Sequence, residues 1–224
     1  MRQDGLAYEQ YRSDGRQEWA MRIGASDAPP ILFVPPLLEE MNRTRALIVG
    51  VMRRLVAQGL GCWLPDLRGT GESIANLSDI RWDDWRHDVM SAAAHVERAS
   101  GRAPMIASLR GGCLIDDAAA GIGWWRLAPV AGASLVRDMV RAGLAGVEWA
   151  GYAPTAELRG RLEDATPVDQ APLRVTRLAS DAGPADAKLT GPALWRRSEP
   201  GNSNELVEAA AADIAAWHDT CAAS

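Results

Sequence analysis

The residues best suited to chemistry gather in three short segments, each closing an apolar run. They are Val34-Pro-Pro-Leu-Leu-Glu-Glu40, Pro65-Asp-Leu-Arg-Gly-Thr-Gly-Glu-Ser73 and Ala107-Ser-Leu-Arg-Gly-Gly-Cys113. Ser108 offers a hydroxyl and Cys113 a thiol, groups that act as acyl-transfer nucleophiles once a base takes their proton. The base must lie within hydrogen-bond reach, and an acid must orient it. Glu39, Glu40, Asp66 and, far downstream, Asp181 supply carboxylates; His87, His95 and His218 are the three histidines. Between Ser108 and Cys113 stands Arg110. Its guanidinium keeps its proton up to a pKa above ~12, so it cannot attack a carbonyl, but it grips carboxylates and phosphates as a planar fork.

These segments need strands and helices to position them. Ile31 to Val34 is a short β-rich run. From Met41 to Gln58 apolar residues recur at helical spacing, and Gly59 and Gly61 follow as stop signals. Gly61 to Leu64 reads as a strand, Trp82 to Arg98 as a helix, Pro104 to Ala107 as a strand and Gly111 to Ala120 as a helix. Then come a strand at Trp124–Val130, helices at Ser134–Leu144 and Thr155–Asp164, and an alternating strand at Leu173–Leu178. A loop over Ala179–Pro192 and a final helix at Asn204–Trp217 complete the order. Leu6–Tyr11 and Trp19–Ile23 pair as an edge hairpin turning at Ser13-Asp14-Gly15. Strands alternating with helices predict a mostly parallel central sheet with helices on both faces, a three-layer α/β sandwich. No repeat or interdomain linker divides residues 1–224, so one domain is expected, with no large cap domain.

Composition removes several alternatives. The 224 residues are 47% hydrophobic and 24% charged, ordinary for a globular chain able to bury roughly 70% of its surface. A net charge of −5 argues against nucleic-acid binding, which needs surplus cations. Nearly all the positive charge is arginine, Lys188 being the only lysine. No signal-peptide core opens the sequence, and no apolar run approaches the ~20 residues of a membrane span. Cys62, Cys113 and Cys221 are odd in number and lack a CxxC spacing, which suits reduced thiols in a cytoplasmic protein. Neither a metal cluster nor a cofactor motif is visible. A dinucleotide site would need GxGxxG after the first strand, and Gly69 and Gly71 have no Walker lysine behind them.

The three segments together resemble the α/β-hydrolases, in which a strand meets a helix at a G-x-S-x-G turn that lifts the nucleophile above the sheet. The chain is more closely similar to the exosortase A system-associated hydrolase 2 subgroup. The matching stretches are Val34 to Arg45, Asp66 to Ser73, the Trp82/Trp85/Asp88 helix start, the Leu109-Arg110-x-Gly turn and Trp125 to Val130. Gly151-Tyr152 and the tail from Ala193-Leu-Trp195 are similar too. The resemblance implies an α/β-hydrolase-like fold and a place beside exopolysaccharide and protein-sorting machinery in Gram-negative bacteria.

Aligned on the elbow, the nucleophile position falls on Arg110. Asp181 follows the late strand where the acid is sought, but the segment Ala193 to Asn204, where the base belongs, has no histidine. His218 lies about 20 Å along the final helix. Ser108 precedes the elbow, and Cys113 falls in the first turn after it, where it is a buried small hydrophobe by default, with a thiol pKa lowered by the helix dipole as the alternative; neither completes a constellation. Arg110 has two readings. In one it pairs with Glu39, Glu40 or Asp66 across the old pocket. In the other it joins the Leu37 and Gly111 amides to hold an anion. Trp124, Trp125, Trp149 and Trp195 are core residues by default, with a sugar-stacking cleft as the alternative.

The sequence therefore reads as a hydrolase-fold pseudoenzyme that binds a small molecule, anionic in the second reading of Arg110, or a pathway protein. The alternative is an esterase, thioesterase or acyltransferase using Ser108 or Cys113.

Overall fold

The computed structural model describes residues 5–141, 153–197 and 199–223. It opens with a hairpin of β1 (Ala7–Ser13) and β2 (Arg16–Ile23). Asp14 and Gly15 form its two-residue turn, both at positive φ, which is the Asp-Gly preference of such turns. Then follow β3 (Pro30–Val34), α1 (Glu39–Val56), β4 (Gly61–Pro65), α2 (Trp82–Ser100) and β5 (Met105–Leu109). The second half holds β6 (Trp124–Leu127), α3 (Gly132–Met139), α4 (Ala156–Asp164), β7 (Leu173–Leu178), β8 (Ala187–Leu189) and α5 (Asn204–Ala222).

The eight strands form one sheet in the order β1-β2-β4-β3-β5-β6-β7-β8. The hairpin joins antiparallel, and β4 through β8 run parallel. Continuous apolar runs in β3, β4 and β5 follow from burial on both faces. Ile31, Phe33, Met105, Ala107 and Leu109 face a core shared with α1 and α5, built on Leu47, Val51, Leu206 and Ile214. Leu32, Val34 and Ile106 face the opposite core, with Trp85 and Val89 of α2 and Leu135 of α3. The mostly parallel three-layer sandwich expected from the sequence is present, and α3 and α4 between β6 and β7 do not amount to a cap domain. Among the described residues, no helix is long and apolar enough to cross a membrane.

Four local expectations need correction. The helix expected over Gly111–Ala120 is two short 3-10 turns, Arg110–Leu114 and Asp116–Ala118. Two glycines open it with poor helix propensity, and Asp116 is drawn into the core by Arg126 and Ser108. The loop over Ala179–Pro192 contains β8, whose three residues are too few to show a period. The strand at Trp124–Val130 stops at Leu127, before Ala128 turns to φ 49° and Pro129 removes a donor. The final helix runs past Trp217 to Ala222, placing His218 and Cys221 in its last turns. Of the Ser134–Leu144 expectation, α3 accounts for the start; its end, Trp149 and Gly151-Tyr152 lie outside the described residues.

Candidate functional site

The site is built where β5 ends. Arg110 takes a left-handed φ of 51°, a conformation costing a bulky residue about 1–3 kcal/mol and concentrated at functional sites. Strand, strained residue and reversal form an elbow, and its close packing accounts for the glycines. A Cβ on Gly112 would stand 2.6 Å from the Pro35 carbonyl oxygen and 2.7 Å from that of Val34. A Cβ on Gly111 would meet Leu135 at 2.8 Å and Leu37 at 3.3 Å. The front segment after β3 therefore lies directly on the elbow. It carries a second left-handed residue, Leu38, at φ 55°.

Arg110 points into this junction and is buried. Its Nε donates to Glu40 Oε1 at 3.0 Å, and Nη2 reaches the same oxygen at 2.9 Å and Asp138 Oδ2 at 3.1 Å. Trp195 closes the other side, with the guanidinium carbon 5.2 Å from its ring centroid. A desolvated cation–π contact of this kind contributes about 2 kcal/mol. Trp195 sits on a 3-10 turn, Leu194–Arg196, between β8 and α5. That is the segment in which a base was sought and no histidine found. Arg43 anchors this turn by donating to the Trp195 carbonyl at 3.2 Å.

Of the three carboxylates weighed for Arg110, the structure brings only Glu40 to it. Glu39 pairs instead with Arg43 and Asn42. Asp66 pairs with Arg45 at 3.0 Å, and its carboxylate fills the Arg-Gly-Thr-Gly turn so closely that a Cβ on Gly71 would lie 2.4 Å from it. Leu37 covers Gly111 with its side chain. Asp138 was not singled out from sequence; it carries no motif and lies in the last turn of α3, the helix after β6.

Glu40 is held in tension. Burial pushes its carboxyl above the usual range, while the Arg110 charge and hydrogen bond, and the Gly111 amide, pull it back. A carboxyl whose pKa is raised on folding binds its proton more tightly in the native state. Between the ordinary carboxylate pKa and the raised one, stability therefore rises as pH falls, and above both the cost of the buried charge stands in full. The expected outcome is that wild type gains stability relative to Glu40→Gln between neutral pH and about pH 4. Denaturant unfolding of both proteins at the two pH values checks this, and the reverse slope would refute it.

The candidate nucleophiles lie behind the elbow, not in it. Ser108 is fully buried, with Oγ 2.5 Å from Asp116 Oδ2 and 3.2 Å from Cys113 Sγ. Arg126 clamps the same Asp116 through Nε at 2.8 Å and Nη2 at 2.6 Å, and reaches the Val168 carbonyl. Burial, with the Asp116 charge, pushes the Cys113 thiol up to about 12. The dipole-lowered thiol is thus corrected: the elbow leads into a five-residue 3-10 turn with little dipole. The same shortness weakens the reading of an anion held by amides at a helix start.

Asp181 stands at the surface. Its carboxyl is held below the usual range by the Gly183 amide and by Arg177, the two partners it binds. None of the histidines joins these groups: His95 lies against Glu9, His218 against Asp219, and His87 is exposed. Among the described residues, no group of His, Cys, Asp and Glu is placed to hold a metal. Trp124 and Trp125 are core residues.

No protein-family model and no curated protein matches the chain. Solved structures do. Alpha/beta hydrolase domain-containing protein 10 from mouse is 17% identical, with a TM-score of 0.63, over 96% of this chain and 98% of that one. A putative aryl esterase from Burkholderia cenocepacia is 12% identical, with a TM-score of 0.61, over 97% of this chain and 100% of that one. A thermophilic esterase from Thermogutta terrifontis is 14% identical, with a TM-score of 0.61, over 96% and 99%. The match to an epoxide hydrolase from Vigna radiata, at 18% identity and a TM-score of 0.42, spans 57% of this chain and 39% of that one.

Proposed function

We propose that this chain, an α/β-hydrolase fold by its sheet and its likeness to a solved alpha/beta hydrolase domain-containing protein and to solved esterases, has exchanged hydrolysis for binding. One observation carries the reading: the residue at the elbow is an arginine held by Glu40 and Asp138 beneath Trp195. Two of the three parts of an acyl-transfer centre have a non-catalytic occupant. A protonated guanidinium stands for the nucleophile and an indole for the base. Resemblance to the exosortase A-associated hydrolase 2 subgroup supports a place beside exopolysaccharide or protein-sorting machinery; the residues at the elbow favour binding or assembly there, and the unpaired cysteines suit the cytoplasmic side. Esterase chemistry through Ser108 or Cys113 has less support, because both are buried in the Asp116–Arg126 network with no histidine against them.

Turnover of nitrophenyl esters and acyl thioesters tests the proposal. Wild type is expected to show no saturable activity above a heat-denatured control, and Arg110→Ser none either, since a serine without a base stays protonated. Saturable turnover abolished by Ser108→Ala or Cys113→Ala would overturn it.

A further inference from the structure

Parallel neighbours are joined by a crossover, usually a helix that covers one face of the sheet. The link from Leu178, at the end of β7, to Ala187, at the start of β8, is a loop with no helix. The face of β7 that such a helix would cover is consequently open. Arg126, Val175 and Arg177 share that face, since Arg126 pairs with Val175 and side chains alternate along a strand. They floor a groove of about 590 Å³, open to solvent and walled by Pro129, Pro167 and Pro184. That is room for a small organic ligand. None of the residues around Arg110 lines it.

The groove is braced rather than loose. Arg177 donates from Nε to the Pro184 carbonyl at 3.0 Å and from Nη2 to the Pro129 carbonyl at 3.3 Å, so it holds two walls at once. Arg126 holds the third, its Nη2 donating to the Val168 carbonyl beside Pro167 at 2.6 Å. Preorganised walls lower the cost of ordering a site on binding. The rest of the Arg126 guanidinium decides what the groove can take. Nε and Nη2 are spent on Asp116, and Nη1 has no partner among the described residues although Arg126 is only 1% exposed. Asp169, exposed at the rim, lies near enough for its charge to act on Arg126, yet no ion pair joins the two among the described residues. The other rim carboxylate, Asp186, is occupied by the Val175 amide at 2.7 Å.

We infer that this groove binds an apolar α-amino acid. The ligand carboxylate takes Nη1 of Arg126, its ammonium takes Asp169, and its side chain lies over Val175 between the prolines. A lone anion on Arg126 would face the uncompensated charge of Asp169, and a lone cation on Asp169 would face Arg126. An α-amino acid carries both charges on one carbon, and so meets an arginine and an aspartate that stand close without pairing. The inference goes beyond the non-hydrolytic reading of the elbow and does not depend on it.

Calorimetric titration with leucine, N-acetylleucine, leucinamide and glycine tests this. Leucine is expected to bind saturably at millimolar concentration. N-acetylleucine lacks the ammonium charge, leucinamide the carboxylate and glycine the side chain, and each is expected to bind about tenfold more weakly or worse. Asp169→Asn changes an exposed residue outside the buried network, so the fold is expected to stand. It is expected to weaken leucine several-fold and to leave N-acetylleucine unchanged. Equal binding of leucine and N-acetylleucine, or of leucine to wild type and Asp169→Asn, would overturn the place given to Asp169. Equal binding of leucinamide would overturn that given to Arg126. No saturable binding by any of the four would overturn the inference altogether, while leaving the reading of the elbow untouched.

Discussion

Arg126→Met is expected to cost about 3–5 kcal/mol, because it leaves the buried Asp116 carboxylate without its counter-charge. That is a large share of the roughly 5–15 kcal/mol by which a domain is stable. Asp116 is fully buried, and burial already pushes its carboxyl upward against the pull of Arg126. The network ties β5, the turn after the elbow and β6 together, since Ser108, Asp116 and Arg126 share one carboxylate. Replacing both ionic partners with apolar residues, as in Asp116→Leu with Arg126→Met, is expected to recover most of the loss. Urea unfolding of the single and double variants measures this. A single variant within about 1 kcal/mol of wild type would show that the pair does not hold the elbow from behind.

Gly112→Ala is expected to destabilise at the upper end of the roughly 1–3 kcal/mol typical of overpacking. The added methyl meets two backbone carbonyl oxygens, of Val34 and Pro35, rather than a side chain able to turn away. To admit it, the front segment must lift from the elbow, and Glu40, at the head of α1, moves with it. Gly160→Ala is the control. Gly160 lies within α4 with nothing near its Cβ position, and alanine there is expected to stabilise by about 0.5–1 kcal/mol. Equal effects at the two glycines would contradict the packing account.

The sequence made the layers legible because α1, α2 and the inner strands are amphipathic or doubly buried over enough residues to show a period. It also located the turn after β5, since Arg110 and the two glycines follow the strand directly in recognisable order. The 3-10 turns after the elbow were not legible: Gly111 to Ala120 has a helical apolar spacing, and what breaks it is the pull of Arg126 on Asp116, a contact between strands and turns. Asp138 and the Trp195 ring were hidden for the same reason. Each reaches Arg110 only through the packing of distant segments, 28 residues away for Asp138. Glu39 and Glu40 could not be separated in sequence, because which neighbour faces inward depends on how α1 is turned at its first residue.

The most direct test of a centre without a nucleophile is the intact mass of the folded protein after treatment with excess fluorophosphonate, with Ser108→Ala alongside. The account predicts an unchanged mass in both proteins. A stoichiometric adduct on wild type that is lost in Ser108→Ala would show an activated serine behind the elbow and contradict the account.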